Sequence, residues 1–343
     1  MRRWMTAVVT IAAAMFVAAP AWACGGLVAP NGTVNLVKTT TLAGYHDGVE
    51  HYVTSFEYAG GGGEFGSIVP LPGIPSDVVR GGDWTLQRLV QEVQPPRLEL
   101  ARATANLVAG SASAEEIFET RIDALDITIL KGGAAGVGEW ALDHGFQLPP
   151  DAPEVLEFYA SRSPIFMAAR FDASEAKRLG QSIGDGTPIH LSIPTQDPWV
   201  PLRILGLGRK ATETIEADVF LLTDARPVLL PRPGEAMTLD RSEPASQSLI
   251  DDLRSDKGMK WIPEDGMWLS YLRIDAPAGD LDHDLAIDPT GLGRPSKVAA
   301  GLVLPEPLED GAGRGRAVWP AWIGAAALVV ATVVLGNRVL DAR

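Results

Sequence analysis

Runs of alternating or continuous apolar residues share this chain with stretches in which apolar residues recur every three or four positions. Residues 34–45, 49–58 and 64–71 carry the strand pattern, joined by His46-Asp47-Gly48 and by the glycine run at 60–63. Asp-Gly and Gly-rich links suit a meander because their backbones reach positive φ at low cost. On the second of these strands Glu50, Tyr52, Thr54, Phe56 and Tyr58 fall on one face, with Val49, His51 and Val53 on the other. Helical spacing of Leu86, Leu89, Val90 and Val93 behind Asp83 as a cap predicts a helix through Glu92, broken by Pro95-Pro96. A second helix is expected to about Val108, then a helical turn or two over 115–120 and a strand over 125–130. Helices follow over 137–144, closed by Gly145, and behind Asp151, with Pro153 in the first turn.

Strand-like runs dominate the rest: 165–171, 188–193, 202–207 and 217–222, then, after a helix near 246–253, 267–274 and 285–287. The order lacks the regular βαβ alternation of a doubly wound sheet. The expected fold class is therefore α+β, with antiparallel or mixed sheets, several short helices and one C-terminal transmembrane helix. No repeat of fixed period is present.

The two ends place the protein. Arg2 and Arg3, an apolar stretch from about Met5 to Ala19 and the Ala21-Trp22-Ala23 cleavage pattern make residues 1–23 a secretory signal peptide. Residues 317–336 are twenty positions without a formal charge, enough helix to cross a hydrocarbon layer of about 30 Å. Trp319 and Trp322 stand at the outer end of that segment, where indole rings favour the headgroup region. Arginines flank it on both sides, so orientation follows from the export signal: an extracytoplasmic domain over 24–288, a stalk over 289–316 and a cytoplasmic tail over 337–343. The stalk reading rests on ten Gly or Pro residues among its twenty-eight. The expected location is the cell membrane, single-pass type I, with the bilayer as one partner.

With 46% hydrophobic and 21% charged residues the chain can build a core, and its net charge of −14 argues against nucleic-acid binding. Cys24 is the single cysteine, so no intramolecular disulfide forms. Its place directly after Ala23 allows lipidation, a free thiol, or an N-terminal nucleophile with its own α-amine as base.

Candidate chemistry is sparse. Asp280, Asp282 and Asp284 copy the first three ligand positions of a calcium loop, with His283 among them. The pattern then departs: Leu285 stands where glycine is needed and Gly291 where the bidentate glutamate belongs. These four residues form a weak metal candidate beside the plainer reading of a solvated polar turn. His46 and His51 flank the Asp47-Gly48 turn and could approach each other across the hairpin, but two ligands fall short of a zinc site. His190, between Ile189 and Leu191, is expected on the polar face of its strand. No His-Glu-x-x-His helix or phosphate-binding loop occurs. No cofactor is expected.

Several segments resemble a known family. Cys24-Gly25-Gly26 after the signal, Phe56-Glu-Tyr-Ala-Gly60 and Phe65-Gly-Ser-Ile-Val-Pro-Leu-Pro72 are similar to the bacterial domain-of-unknown-function family 2330. So are Trp140 with Gly145-Phe-Gln-Leu-Pro149 and Tyr159, Pro188 with Pro201-Leu-Arg203, and Trp268-Leu-Ser-Tyr-Leu-Arg273 before Asp280-Leu281. Members often carry a second cysteine soon after the first; this chain does not. The resemblance implies an exported, membrane-associated protein and brings no catalytic residues. Together these features favour a binding or structural role at the cell envelope, toward a polymer or protein partner. The competing expectation is a metal-dependent or hydrolytic envelope enzyme.

Overall fold

The computed structural model describes residues 26–28, 39–56, 65–93, 116–180, 187–234 and 236–304. The signal peptide expected over 1–23, Cys24 and the apolar segment 317–336 lie outside the described residues, as does the helix expected to Val108. Among the described residues no helix is long and apolar enough to cross a membrane.

The strands are β1 Gly26–Val28, β2 Thr39–His46, β3 Val49–Phe56, β4 Phe65–Pro70, β5 Asp77–Arg80, β6 Glu116–Ile122, β7 Leu125–Lys131 and β8 Ile165–Phe171. They continue with β9 Thr187–Pro194, β10 Trp199–Val200, β11 Thr214–Thr223, β12 Val228–Leu230, β13 Met237–Pro244, β14 Trp268–Pro277 and β15 Leu285–Asp288. The helices are α1 Thr85–Val93, α2 Ala134–Asp143, α3 Ala152–Ala160, α4 Ala173–Arg178 and α5 Gln247–Ser255. The fold is thus α+β and dominated by sheets.

A seven-stranded sheet runs in the order β13-β14-β11-β2-β3-β9-β5, a five-stranded sheet β1-β4-β8-β7-β6, and a small sheet β10-β15-β12. All pairings are antiparallel except β11 with β2. Alternation along each strand then sorts the side chains into layers. Ala43, Tyr52, Leu191, Val219 and Leu272 of the large sheet meet Val69, Ile127 and Met167 of the five-stranded sheet in one core. Leu42, Val53, Phe220 and Leu222 point the other way and are covered by Leu89 of α1, Leu249 and Leu253 of α5, and Met259 and Ile262. Ile68, Phe166 and Ala168 leave the five-stranded sheet on its far side for Trp140 of α2 and Leu156 and Tyr159 of α3.

Local chemistry sets the boundaries. The β2–β3 link has Asp47 at φ 48° and Gly48 at φ 79°, the pair of positive values a type I′ hairpin turn needs. Asp172 caps α4 by accepting from Ser174 and Glu175 amides at 2.9 Å each. Ser246 caps α5 through the Leu249 amide.

Four expectations change. Residues 116–122 are a strand paired with β7, not a helical turn, because a hairpin turn with Asp123 at φ 53° folds them back. Residues 203–206 form a 3₁₀ turn instead of a strand, since side-chain oxygens take the amides of Leu202, Arg203 and Ile204. Asp83 and Asp151 do not cap the helices that follow them. Asp83 pairs with Arg80, and Asp151 accepts from the Gly208 amide. Residues 289–304, expected as the start of a stalk, pack on the body: Ala300 is buried, its carbonyl takes the Asp284 amide, and Gly291 and Gly301 turn the chain at positive φ.

Candidate functional site

β3 places two unusual groups on opposite sides of the large sheet. Glu50 points into the inter-sheet core and is 1% exposed. Across β2 it faces Tyr45 and across β9 it faces Ile193. One carboxyl oxygen, Oε2, accepts from the Trp199 amide at 3.3 Å, while Oε1 is buried without a partner among the described residues. Burial pushes the Glu50 carboxyl up to about 8, only partly opposed by that amide. At neutral pH this is a protonated acid sealed in the core. The same layer holds buried hydroxyls of Thr41 and Thr54, directly opposite each other, and of Ser67 on β4.

His51 points to the helical layer. Val53 lies opposite His190 across β3 and β9, so His51 and His190 are diagonal neighbours on one face. His51 Nδ1 and His190 Nε2 stand 3.0 Å apart, which requires one ring to donate and the other to accept. Trp261 stacks on His51 with ring centres 4.0 Å apart and planes 5° from parallel. The indole also lies over Gly44, the residue opposite His51 on β2; a Cβ there would fall 2.1 Å from its ring. Burial drives the His51 imidazole down to about 3 and that of His190 to about 4, so both are neutral bases. His190 Nδ1 is buried and has no partner among the described residues.

This arrangement corrects two sequence expectations. His190 is on the covered face, not a polar one, because α1, α5 and the 256–267 loop lie over that side. His46 shares the face but bonds to Asp224 at 2.7 Å, and His51 pairs with His190 in its place. The signal was present in the register: the Asp47-Gly48 turn fixes Gly44 opposite His51, and a glycine opposite a ring leaves a slot for a stacking partner.

The four acidic and imidazole candidates do not converge. Asp284 is fully buried. Its Oδ2 pairs with the Arg162 guanidinium at 2.5 Å, and its Oδ1 accepts from the Tyr159 hydroxyl and the Leu202 amide at 2.8 Å each. The Arg203 amide adds a fourth bond at 3.0 Å. Arg162 is in turn packed against the rings of Phe158, Tyr159 and Trp199. Asp280 is exposed in a 3₁₀ turn, and Asp282 bonds to its neighbour His283. Among the described residues no group of three or more His, Cys, Asp or Glu side chains is placed to hold a metal ion.

Gly180-Gln-Ser182-Ile-Gly184 has the spelling of a nucleophile elbow. Such an elbow needs a strand before it and a helix after it. Here α4 precedes and β9 follows, and Gly180 at φ 73° serves as the residue that ends α4. Ser182 itself lies outside the described residues.

Comparison with known proteins adds a family and little else. No curated protein matches the chain. The crystal structure of baculovirus P35 aligns with a TM-score of 0.39 at 10% identity, covering 73% of this chain and 96% of that one. The caspase-8/P35 complex gives 0.36 at 8% identity, covering 73% and 95%. Scores this low carry no argument about fold or function. A family profile described as "uncharacterized protein conserved in bacteria" matches residues 18–228, so the segments at 268–281 that also resemble the family lie beyond the match. With well over half its length matched, the chain belongs to the family of uncharacterized proteins conserved in bacteria known as DUF2330.

Proposed function

We propose that this chain is a single-span, type I membrane protein whose extracytoplasmic α+β body serves a binding or structural role at the bacterial cell envelope. The observation that carries the reading is the pairing of a three-part export signal over 1–23 with the uncharged segment 317–336. Everything between the two is then delivered outside the cytoplasm and held there. A non-catalytic role is supported by how the buried ionisable groups are used. Asp284, the interior member of the acidic candidates, spends both oxygens on Arg162, Tyr159 and two backbone amides. Asp256 likewise gives its oxygens to the start of α1. Such groups brace the body and leave it rigid enough to present a surface to an envelope polymer or protein.

The test is protease treatment of spheroplasts expressing the full chain with a tag after Arg343. The reading expects the body to be digested, the tag to be protected, and a chain lacking 317–343 to leave the membrane fraction. A protected body, or a truncated chain that still sediments with membranes, would sink it. Purified chain is then sedimented with isolated cell-wall polymer. Saturable binding supports the polymer as partner, and stoichiometric bound metal in the same preparation would turn the reading toward a metal-dependent enzyme.

A further inference from the structure

We propose that His51 and His190 form an acid-sensitive latch that holds the 256–267 loop on the outer face of the seven-stranded sheet and releases it on protonation. The latch rests on four geometric facts. The two rings face each other nitrogen to nitrogen at 3.0 Å, a contact that needs one lone pair; two imidazolium rings would turn two donors and two positive charges together. Trp261, from the loop, is stacked on His51. Its indole fills the slot above Gly44 that any side chain there would occupy. Gly258, also from the loop and at φ 79°, stands beside His190, where an added Cβ would lie 3.5 Å from Nδ1 and 3.9 Å from the Arg80 carbonyl oxygen. The loop therefore closes directly over both rings, and the contact between them is lost once both are protonated.

The charged groups around the pair come from three elements. On β2, His46 is paired with Asp224. On β5, Asp77 favours a charged His190, while Arg80 is engaged by Asp123 and Asp83. On the loop, Asp256 is occupied by the Asp83, Trp84 and Lys257 amides and the Thr85 hydroxyl, and Lys257 and Lys260 are exposed. Asp77 is outweighed by burial, which leaves both rings far below the ordinary histidine value.

The sign follows from linkage. The folded values, about 3 and about 4, lie below the ordinary 6.5, so the open loop takes up protons that the closed loop refuses. Closure is fully favoured above about 6.5 and weakens as pH falls toward the folded values. With two rings involved, the opening equilibrium shifts by up to about 100-fold per pH unit in that window, roughly tenfold for each proton. Met259 and Ile262, both buried in the same loop, oppose opening and set its threshold below the ordinary histidine value.

Hydrogen exchange on the full chain in detergent, followed from about pH 7.5 to 4.5 and corrected for intrinsic exchange, tests this. Protection across 256–267 should hold steady above about 6.5, then fall with a slope approaching 100-fold per pH unit. In His190→Gln the slope should drop to about tenfold. Protection that ignores pH, or an unchanged slope in the variant, overturns the latch. Should His190→Gln fail to fold, NMR titration of the wild-type imidazoles decides. Two rings titrating well below 6.5, in step with the loss of loop protection, support the proposal; rings titrating near 6.5 overturn it.

Discussion

Glu50 and His51 are consecutive residues of one strand, yet they are buried in different layers of the protein, and each is held there in its uncharged form. The strand's alternation accounts for the first fact and desolvation for the second. Their effects on stability are opposite in sign. His51 and His190 weaken the fold as pH falls, whereas Glu50 weakens it as pH rises.

For Glu50 the folded value of about 8 exceeds the model-compound value of 4.5, so the folded chain binds the extra proton between them. Stability from this group is complete below about 4.5 and is lost as pH rises through 8, a change on the order of a few kcal/mol. Between about 6.5, above which the latch is fully closed and its pH dependence has ended, and about 8, the Glu50 titration remains, and stability should decline across that window. Glu50→Gln keeps an acceptor for the Trp199 amide and removes the titration. Urea midpoints measured across that range should fall for the wild type and stay level for the variant; parallel curves would show that Glu50 is charged in the folded state.

The Arg162–Asp284 pair should be costly to break. Arg162→Met leaves a carboxylate that is fully buried, with only neutral donors around it, and such a loss typically costs about 3–5 kcal/mol. Adding Asp284→Asn to that variant should recover part of the cost by removing the stranded charge. Chemical denaturation of the three chains reads this directly. A single variant within about 1 kcal/mol of wild type would mean that the pair is not sealed.

Strands β2, β3, β9, β11 and β14 of the large sheet were legible because alternation and the Asp47-Gly48 turn are local signals that survive folding unchanged, whereas its edge strands β5 and β13 were not. Residues 116–122 and 202–207 were misread because each is decided by a distant or subsequent partner: β7 and the Asp123 turn for the first, Asp284 and Tyr159 for the second. The acidic run 280–284 drew attention by its composition. Its one buried member answers to Arg162, more than a hundred positions earlier, and nothing in local spacing reveals that. The same holds for His51 and His190, which are 139 positions apart. The faces could be read from the strands, but which strands become neighbours could not.

Gly44 should resist every side chain. Gly44→Ala forces Trp261 to move, since the new Cβ would lie 2.1 Å from indole Cη2, and overpacking of this kind costs about 1–3 kcal/mol. The displaced indole would also uncover His51 and let its folded value return toward the ordinary one, so the variant should lose less stability than wild type between neutral and mildly acid pH. Thermal melts at neutral and mildly acid pH check both parts. A variant as stable as wild type at both would mean that the indole does not sit on the sheet.

Asp256 shows how a distant residue can make a helix start. The α1 helix lacks an acidic residue in its first turn, and Asp83 is turned away to Arg80. Its opening amides at Asp83 and Trp84, with the Thr85 hydroxyl, are instead met by the Asp256 carboxylate at 3.2, 3.1 and 2.7 Å. A negative group at this end also complements the helix dipole. Gly82 makes the approach possible, because a Cβ there would fall 2.1 Å from Oδ2. Asp256→Ala should therefore cost about 1–3 kcal/mol, the penalty for buried donors left unmet. Gly82→Ala should reproduce the defect without touching the carboxylate. Hydrogen exchange at α1 distinguishes this from a general loss of stability: protection should fall over 85–93 in both variants and remain at β7 and β8. Loss of protection at those strands as well would show that α1 does not open separately from the sheets beneath it.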